Sequence, residues 1–346
     1  MVKKGKLVRY LIIGALILLI TGWYIEGQCI PGFAEEASRK FATVTDGTGK
    51  NVKVLCPVKR LVAITSAASE IIYALGEGDK IVGRDSYSVF PPSLLAIPVV
   101  AGSSYNPNLE LILQARPDVV VADGMLKEDL RGKLEAAGIP VIIDSPSNPE
   151  RVLPMVKYLG VLLGKEERAG EMVRFIERYE NLVDDRVGRL SAKDKPFVFY
   201  EWSRPYFSAA KDTPAHNSLT KAGAINIAAQ EPIKYPTLSA EWVAAKDPDI
   251  IVRMASRGET LEEMKALRDE VLARPGLRNV KAIKDKKVFI TSWGVASGLR
   301  SVVGHLYWAK WFHPRLFADI DPEAVHREML KKFYGLDLEG TWVYPQ

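Results

Sequence analysis

Two carboxylates recur at the same place in two copies of one short pattern. Residues 108–121 read NLELILQARPDVVV and residues 239–252 read SAEWVAAKDPDIIV. In each copy a polar residue stands two places before a Glu, and a Pro-Asp pair follows seven residues after it, ahead of a β-branched run. The pattern spells a short helix, a turn and a buried strand. Alone, Glu110 would be read as a helix-dipole partner worth ~0.3–1 kcal/mol. Glu241 in the same register makes the pattern an internal repeat. The repeat implies two pseudo-symmetric lobes that each present a carboxylate on one face.

Other chemistry-bearing residues are sparser. The four histidines, His216, His305, His313 and His326, all lie in the second half, and no two share the i, i+4 spacing of a helical metal site. A bare-metal site is therefore not expected; His326 reads as solvated surface and His305 as packing on an apolar helix. Gly76-Glu77-Gly78 followed by Gly83 does not make a dinucleotide fingerprint, and no phosphate loop of the G-x-x-x-x-G-K-[ST] type occurs. In GVASG (294–298), Ser297 falls one place late for a nucleophile elbow. No resident cofactor is expected. The competing reading, an exported α/β enzyme, would rest on Asp123 and His216. Of the two cysteines, Cys29 lies in the N-terminal segment and Cys56 stands alone beyond it. With Cys29 removed along with an export signal, no disulfide framework is possible in the mature chain, and Cys56 reads as a buried, inert thiol.

Alternating strands and helices must position these residues. Arg60–Thr65, Lys80–Gly83, Val119–Ala122 and Val141–Asp144 read as strands, with a helix capped by Ser69 and stopped by Gly76, and another over Leu126–Ala137. The grammar restarts after Pro196. Phe197–Trp202, Ile250–Met254 and Lys287–Thr291 read as strands; Asn217–Ala222, Leu261–Ala273, Ser301–Phe312 and Pro322–Phe333 read as helices. Such alternation means βαβ units and parallel sheets. Between the halves, Glu166 to about Leu190 keeps one apolar face of a 3.6-residue period. The expected fold is α/β: two Rossmann-like lobes with parallel sheets joined by one long α-helix. The expected division is an N-terminal lobe at 42–150, a helical linker at 151–195 and a C-terminal lobe at 196–346.

A length of 346 residues suits two lobes. The net charge of +5 comes largely from Lys3, Lys4, Lys6 and Arg9, so no nucleic-acid footprint is present. That basic start precedes an apolar run, Leu11 to Ile25, then Pro31-Gly32 and the small residue Ala34. This is the layout of an export signal over residues 1–34, either cleaved or kept as a membrane anchor. A periplasmic or other extracytoplasmic location follows.

The repeat, TSAASEIIYALG (65–76) and VGRDSYSVFPP (82–92) resemble the substrate-binding proteins of ABC importers for iron-siderophore complexes and cobalamin. In the second half FVFYEWSRPYF (197–207), KAGAINIAA (221–229) and ITSWGVASGLR (290–300) carry the same resemblance. The run AKWFHPRLFADIDPEAVHREMLKKFYG (309–335) is closer to the iron-complex branch. The resemblance implies a monomeric carrier of a metal chelate, partnered by a permease with its ATPase. Glu110 and Glu241 match the lobe-tip glutamates that dock on the permease. A ferric siderophore is the first ligand class implied; a corrinoid or haem is the second.

Ligands of such folds sit at the C-terminal ends of parallel strands, between the lobes. That places Tyr87, Tyr105 and Asp123 in the first lobe, and Trp202, Arg204, Tyr206, Trp293 and Arg300 in the second. The resemblance implies aromatic cleft walls at Tyr87, Trp202 and Trp293. Flat chelates need aromatic faces, and anionic ones need guanidinium forks such as Arg204 and Arg300.

Overall fold

The computed structural model describes residues 40–145, 147–256 and 260–346. The export signal over residues 1–34, and Cys29 within it, lie outside the described residues. Two strands, β1 (Lys40–Thr45) and β2 (Asn51–Cys56), form a small sheet that the sequence reading did not anticipate. The turn between them is tied down by buried Asp46. Its carboxylate accepts from the backbone N–H groups of Thr48 and Lys50 at 2.9 and 3.0 Å and from Arg131 at 2.9 Å.

The first lobe contains β3 (Leu61–Ala63), helix α1 (Ser66–Ala74), β4 (Ile81–Asp85), β5 (Val99–Ala101), α2 (Leu109–Ala115), β6 (Val119–Ala122), α3 (Glu128–Ala136) and β7 (Val141–Ile143). Its sheet is wholly parallel, in the order β5-β4-β3-β6-β7. Every residue of β3, β6 and β7 is buried, as helix-covered parallel strands require. Helix α1 begins three residues before the expected cap. Thr65 is its N-cap, and Ser69 instead lies inside the helix, buried, 2.9 Å from the Ser88 hydroxyl.

Helices α4 (Pro149–Leu163) and α5 (Glu166–Val187) follow. Gly164 separates them at φ 67°, a left-handed conformation that glycine adopts without steric cost. The 22 residues of α5 span about 33 Å at ~1.5 Å per residue. Its buried face runs through Ala169, Met172, Val173, Ile176, Tyr179, Val183 and Val187. The helix ends at Val187 rather than near Leu190, with Gly188 as its C-cap.

The second lobe contains β8 (Phe197–Glu201), α6 (Pro214–Lys221), β9 (Ile225–Asn226), α7 (Ala240–Lys246), β10 (Ile250–Ala255), α8 (Leu261–Leu272), α9 (Lys281–Lys284), β11 (Val288–Ser292), α10 (Trp293–Ala296), α11 (Ser301–Phe312), α12 (Pro322–Met329) and β12 (Val343–Tyr344). Its sheet runs β12-β11-β10-β8-β9; only β12 is antiparallel to its neighbour. The fold is thus α/β with two parallel-based sheets and a long helix between them in sequence, as the alternation predicted.

The repeat is structural down to its backbone. Helices α2 and α7 each have seven residues, with N-caps Asn108 and Ser239 whose side chains accept from the third helical N–H. Both end on a non-glycine in the left-handed region, Arg116 at φ 46° and Asp247 at φ 45°. A proline follows each, which disfavours another α-helical residue. The next residue then binds the start of a neighbouring strand. The Asp118 carboxylate accepts from the N–H groups of Lys59 and Arg60 at 2.7 and 3.0 Å, and that of Asp249 from Phe197 at 2.9 Å.

Candidate functional site

The repeated glutamates come out alike. Glu110 and Glu241 are both exposed at the second position of their helices. Hydrogen bonds from its own backbone N–H and from Ser239 hold the Glu241 carboxyl below its ordinary range, so it is ionised at neutral pH.

At the C-terminal ends of its strands the first lobe offers separate rings. Tyr87 is 64% exposed and Tyr105 is 59% exposed. The ammonium of Lys127 lies 4.7 Å from the Tyr105 ring centroid, close enough for a cation–π attraction. Asp123 is half-buried and its carboxyl is pushed up by burial. It accepts from the Met125 N–H at 2.9 Å, a local turn contact.

The second lobe instead gathers its aromatics. The Trp202 ring is near-parallel to Trp293 (centroids 5.7 Å, 21°) and to Phe207 (5.6 Å, 12°). Tyr235, 41% exposed, leans on both Trp202 and Phe207. The exposed Arg204 guanidinium covers the Phe207 ring at 3.8 Å and reaches Thr237 at 3.2 Å. Next to Trp202 in sequence, buried Glu201 ends β8 and pairs with Arg274 at 2.6 and 2.8 Å and with Arg253 at 3.1 Å. It also accepts from the Tyr206 N–H at 2.6 Å, which holds Tyr206 at φ 60° and turns the chain so that Phe207 returns beside Trp202. Tyr206 itself packs under Arg274, 4.9 Å away, rather than joining the platform.

The sequence placed Trp202, Arg204 and Trp293 correctly at strand ends. It missed Phe207, Tyr235, Lys127 and the Glu201 anchor. Phe207 stood in a visibly aromatic segment; Tyr235 and Lys127 come from loops and left no periodic signal.

Arg300 is a correction. Expected at the cleft surface, it is fully buried and makes a two-point contact with Glu70 at 3.0 and 3.2 Å. Its charge is committed to that carboxylate. The histidines need correction too. His326 is fully buried rather than solvated, and burial, with Arg300 nearby, pushes its pKa down to about 3. His305 is buried as expected but is also pinned, 2.8 Å from Glu180 and 3.2 Å from Ser218. The series Ser218–His305–Glu180 has the order of a nucleophile relay; Ser218 and His305 are both buried, and the contacts tie α5, α6 and α11 together. His216 is half-buried beside Asn226 at 3.3 Å, and burial lowers its pKa. Cys56 is half-buried, its thiol 3.4 Å from the Val54 carbonyl. Among the described residues no group of three or more His, Cys, Asp or Glu side chains is placed to hold a metal ion.

Two parallel-sheet lobes with ligand-type residues at their strand ends define a binding protein of the periplasmic type. Residues 61–292 match the periplasmic binding protein family, and the chain belongs to it. A substrate-binding lipoprotein of an ABC transporter from Bacillus subtilis, YvrC, is 25% identical over 88% of this chain and 85% of its own length. A vitamin B12-binding protein of Yersinia pestis is 27% identical over 56% of this chain and 69% of its own. Among solved structures, the TroA-like periplasmic binding protein FepB of Veillonella parvula superposes with a TM-score of 0.73 at 28% identity, covering 87% of this chain and 98% of that one. The molybdate-binding MolA of Haemophilus influenzae, at 20% identity and a TM-score of 0.74 over 87% of this chain and 100% of that one, shares the fold. Members of this family are substrate-binding proteins, which deliver small molecules to a permease from outside the cytoplasm.

Proposed function

We propose that this chain captures a metal chelate, a ferric siderophore or similar iron complex, and hands it to an ABC permease driven by its ATPase. It works as a monomer and performs no catalysis. The observation that carries the ligand class is the platform of Trp202, Phe207, Tyr235 and Trp293 with Arg204 on its flank. Such a surface gives contact area to a broad conjugated ligand and a fixed cation to an acidic one. Tyr87 and Tyr105, with Lys127, are the first lobe's contribution. Glu110 and Glu241 are the permease contacts, supported by their exposure at matching positions. The lobes divide at 42–150 and 196–346, with residues 151–195 as linker; limited proteolysis should cut near those limits first. Residues 1–34 direct export and either leave or anchor the chain.

A corrinoid or haem is the second reading, favoured by the similarity to the vitamin B12-binding protein of Yersinia pestis. One titration separates them. A ferric tris-catecholate, haemin and cyanocobalamin are each added to the purified protein while tryptophan fluorescence and melting temperature are followed. Selective quenching and stabilisation by the ferric chelate is expected; at 100-fold its Kd a ligand adds ~2.7 kcal/mol. No response to any of the three would remove the chelate reading.

A further inference from the structure

The lobes meet at a buried contact away from the aromatic platform. Glu70 stands on α1 of the first lobe and Arg300 just ahead of α11 of the second, and both side chains are at most 2% exposed. Nε of Arg300 donates to one Glu70 oxygen at 3.0 Å and Nη2 to the other at 3.2 Å, a fork on a carboxylate. Phe90 of the first lobe lies 4.0 Å from the guanidinium and Trp342 of the second 4.7 Å. These two rings touch edge to face at 6.0 Å. Gly298, at φ 69°, brings the second lobe's backbone against α1, where a Cβ would stand 3.0 Å from that of Ala67. Behind the contact, Arg168 of α5 donates to the carbonyls of Ala74 and Phe333 at 2.5 and 2.9 Å.

A buried ion pair of this kind tolerates one arrangement. Parting the lobes here would break the fork and pull Phe90 away from Trp342, giving up a matched pair whose desolvation is offset only in this geometry. The same contact reaches both ligand-facing surfaces. Phe90 follows Tyr87 by three residues, and Ser88 between them bonds to Ser69 on α1. On the other side, a Cβ on Gly294, next to Trp293, would lie 2.6 Å from the Trp342 ring and 3.5 Å from Arg300.

We propose that Glu70 and Arg300 are positioning residues that lock the two lobes at one angle and so hold Tyr87 and Trp293 in fixed register across the cleft. The lock stands on the described contacts; only its service to Tyr87 and Trp293 rests on the ligand reading above. Pulsed electron paramagnetic resonance tests it on the full chain with Cys29→Ser and Cys56→Ser. Spin labels go on Asp129→Cys in α3 and Glu262→Cys in α8, both well exposed. The parent should give one narrow distance, with and without haemin or a ferric tris-catecholate. The double variant Glu70→Gln/Arg300→Met removes both charges together, so no buried ion is stranded. It should broaden the distribution and add longer distances while circular dichroism shows native secondary structure. Arg300→Lys keeps the charge but gives up the fork, and should broaden it less. A broad or two-peaked parent overturns the proposal, as does a parent-like width in both folded variants. If no chelate binds, the ligand reading fails while the ligand-free widths still decide on the lock.

Discussion

The two lobes share a unit and differ in what they hang on it. Helices α2 and α7, their left-handed ends and the strand-binding aspartates Asp118 and Asp249 repeat element by element. At the strand ends the likeness stops. The first lobe leaves Tyr87 and Tyr105 exposed, whereas the second packs Trp202, Phe207, Tyr235 and Trp293 together and ties the turn between Trp202 and Phe207 to a buried charge cluster. The scaffold is fixed by backbone demands that tolerate few residues: a cap, a proline, an aspartate. The loops carry no such demand and are free to differ, which is where binding residues belong.

Substitutions should affect the two lobes unequally. The largest effect should come from the contact that belongs to neither lobe. Glu70→Ala or Arg300→Ala strands a buried charge and should cost about 3–5 kcal/mol, read as a fall in urea midpoint. Next comes the platform. Trp202→Ala removes the ring that Trp293, Phe207 and Tyr235 all touch. It should cost ligand binding ~2 kcal/mol or more, as a central aromatic anchor does. Tyr105→Ala should cost clearly less; equal losses by calorimetry would make the lobes equivalent partners.

Acid should separate the lobes by where stability starts to fall. His326 in the second lobe has its folded pKa pushed down to about 3, below its unfolded value near 6.5. The unfolded chain therefore binds the proton first, and stability drops as pH falls from about 6.5 towards 3. In the first lobe, burial tends to raise the Asp46 carboxyl. Hydrogen bonds from the Thr48 side chain and from the N–H groups of Ile143, Lys50 and Thr48 outweigh it and leave the pKa lowered. Its contribution is present above the unfolded carboxylate value of about 3.9 and is lost only as pH falls through the lower folded value. His326→Leu should flatten the pH 4–6 part of a melting profile, while Asp46→Asn should not. The smallest stability effect belongs to Glu110→Ala with Glu241→Ala. Melting and chelate affinity should hardly move, yet uptake by cells or permease-containing vesicles should stop. A fall in affinity instead would place those carboxylates in the ligand site.

What could be read in advance follows the same division. Strand Val119–Ala122 and helix Ser301–Phe312 matched residue for residue, because a buried parallel strand and a long apolar helix are written locally. The Glu110–Glu241 repeat was legible because capping and pre-proline chemistry leave few choices. Ser69 misled because a serine inside a buried helix looks like a cap until its partner Ser88 comes into view. Arg300 misled more deeply. A strand-end arginine signals a ligand fork only if no carboxylate is waiting, and Glu70 lies 230 residues away in sequence. The platform was half seen, since a turn that returns Phe207 to Trp202 depends on Glu201 pairing with Arg274 across the lobe.

The near-parallel indoles of Trp202 and Trp293, 5.7 Å apart, have an optical consequence. Transition dipoles that close couple and split the indole bands of the circular dichroism spectrum. The site therefore carries its own unlabelled gauge: any event that shifts one ring against the other rewrites that couplet, even where total fluorescence stays the same.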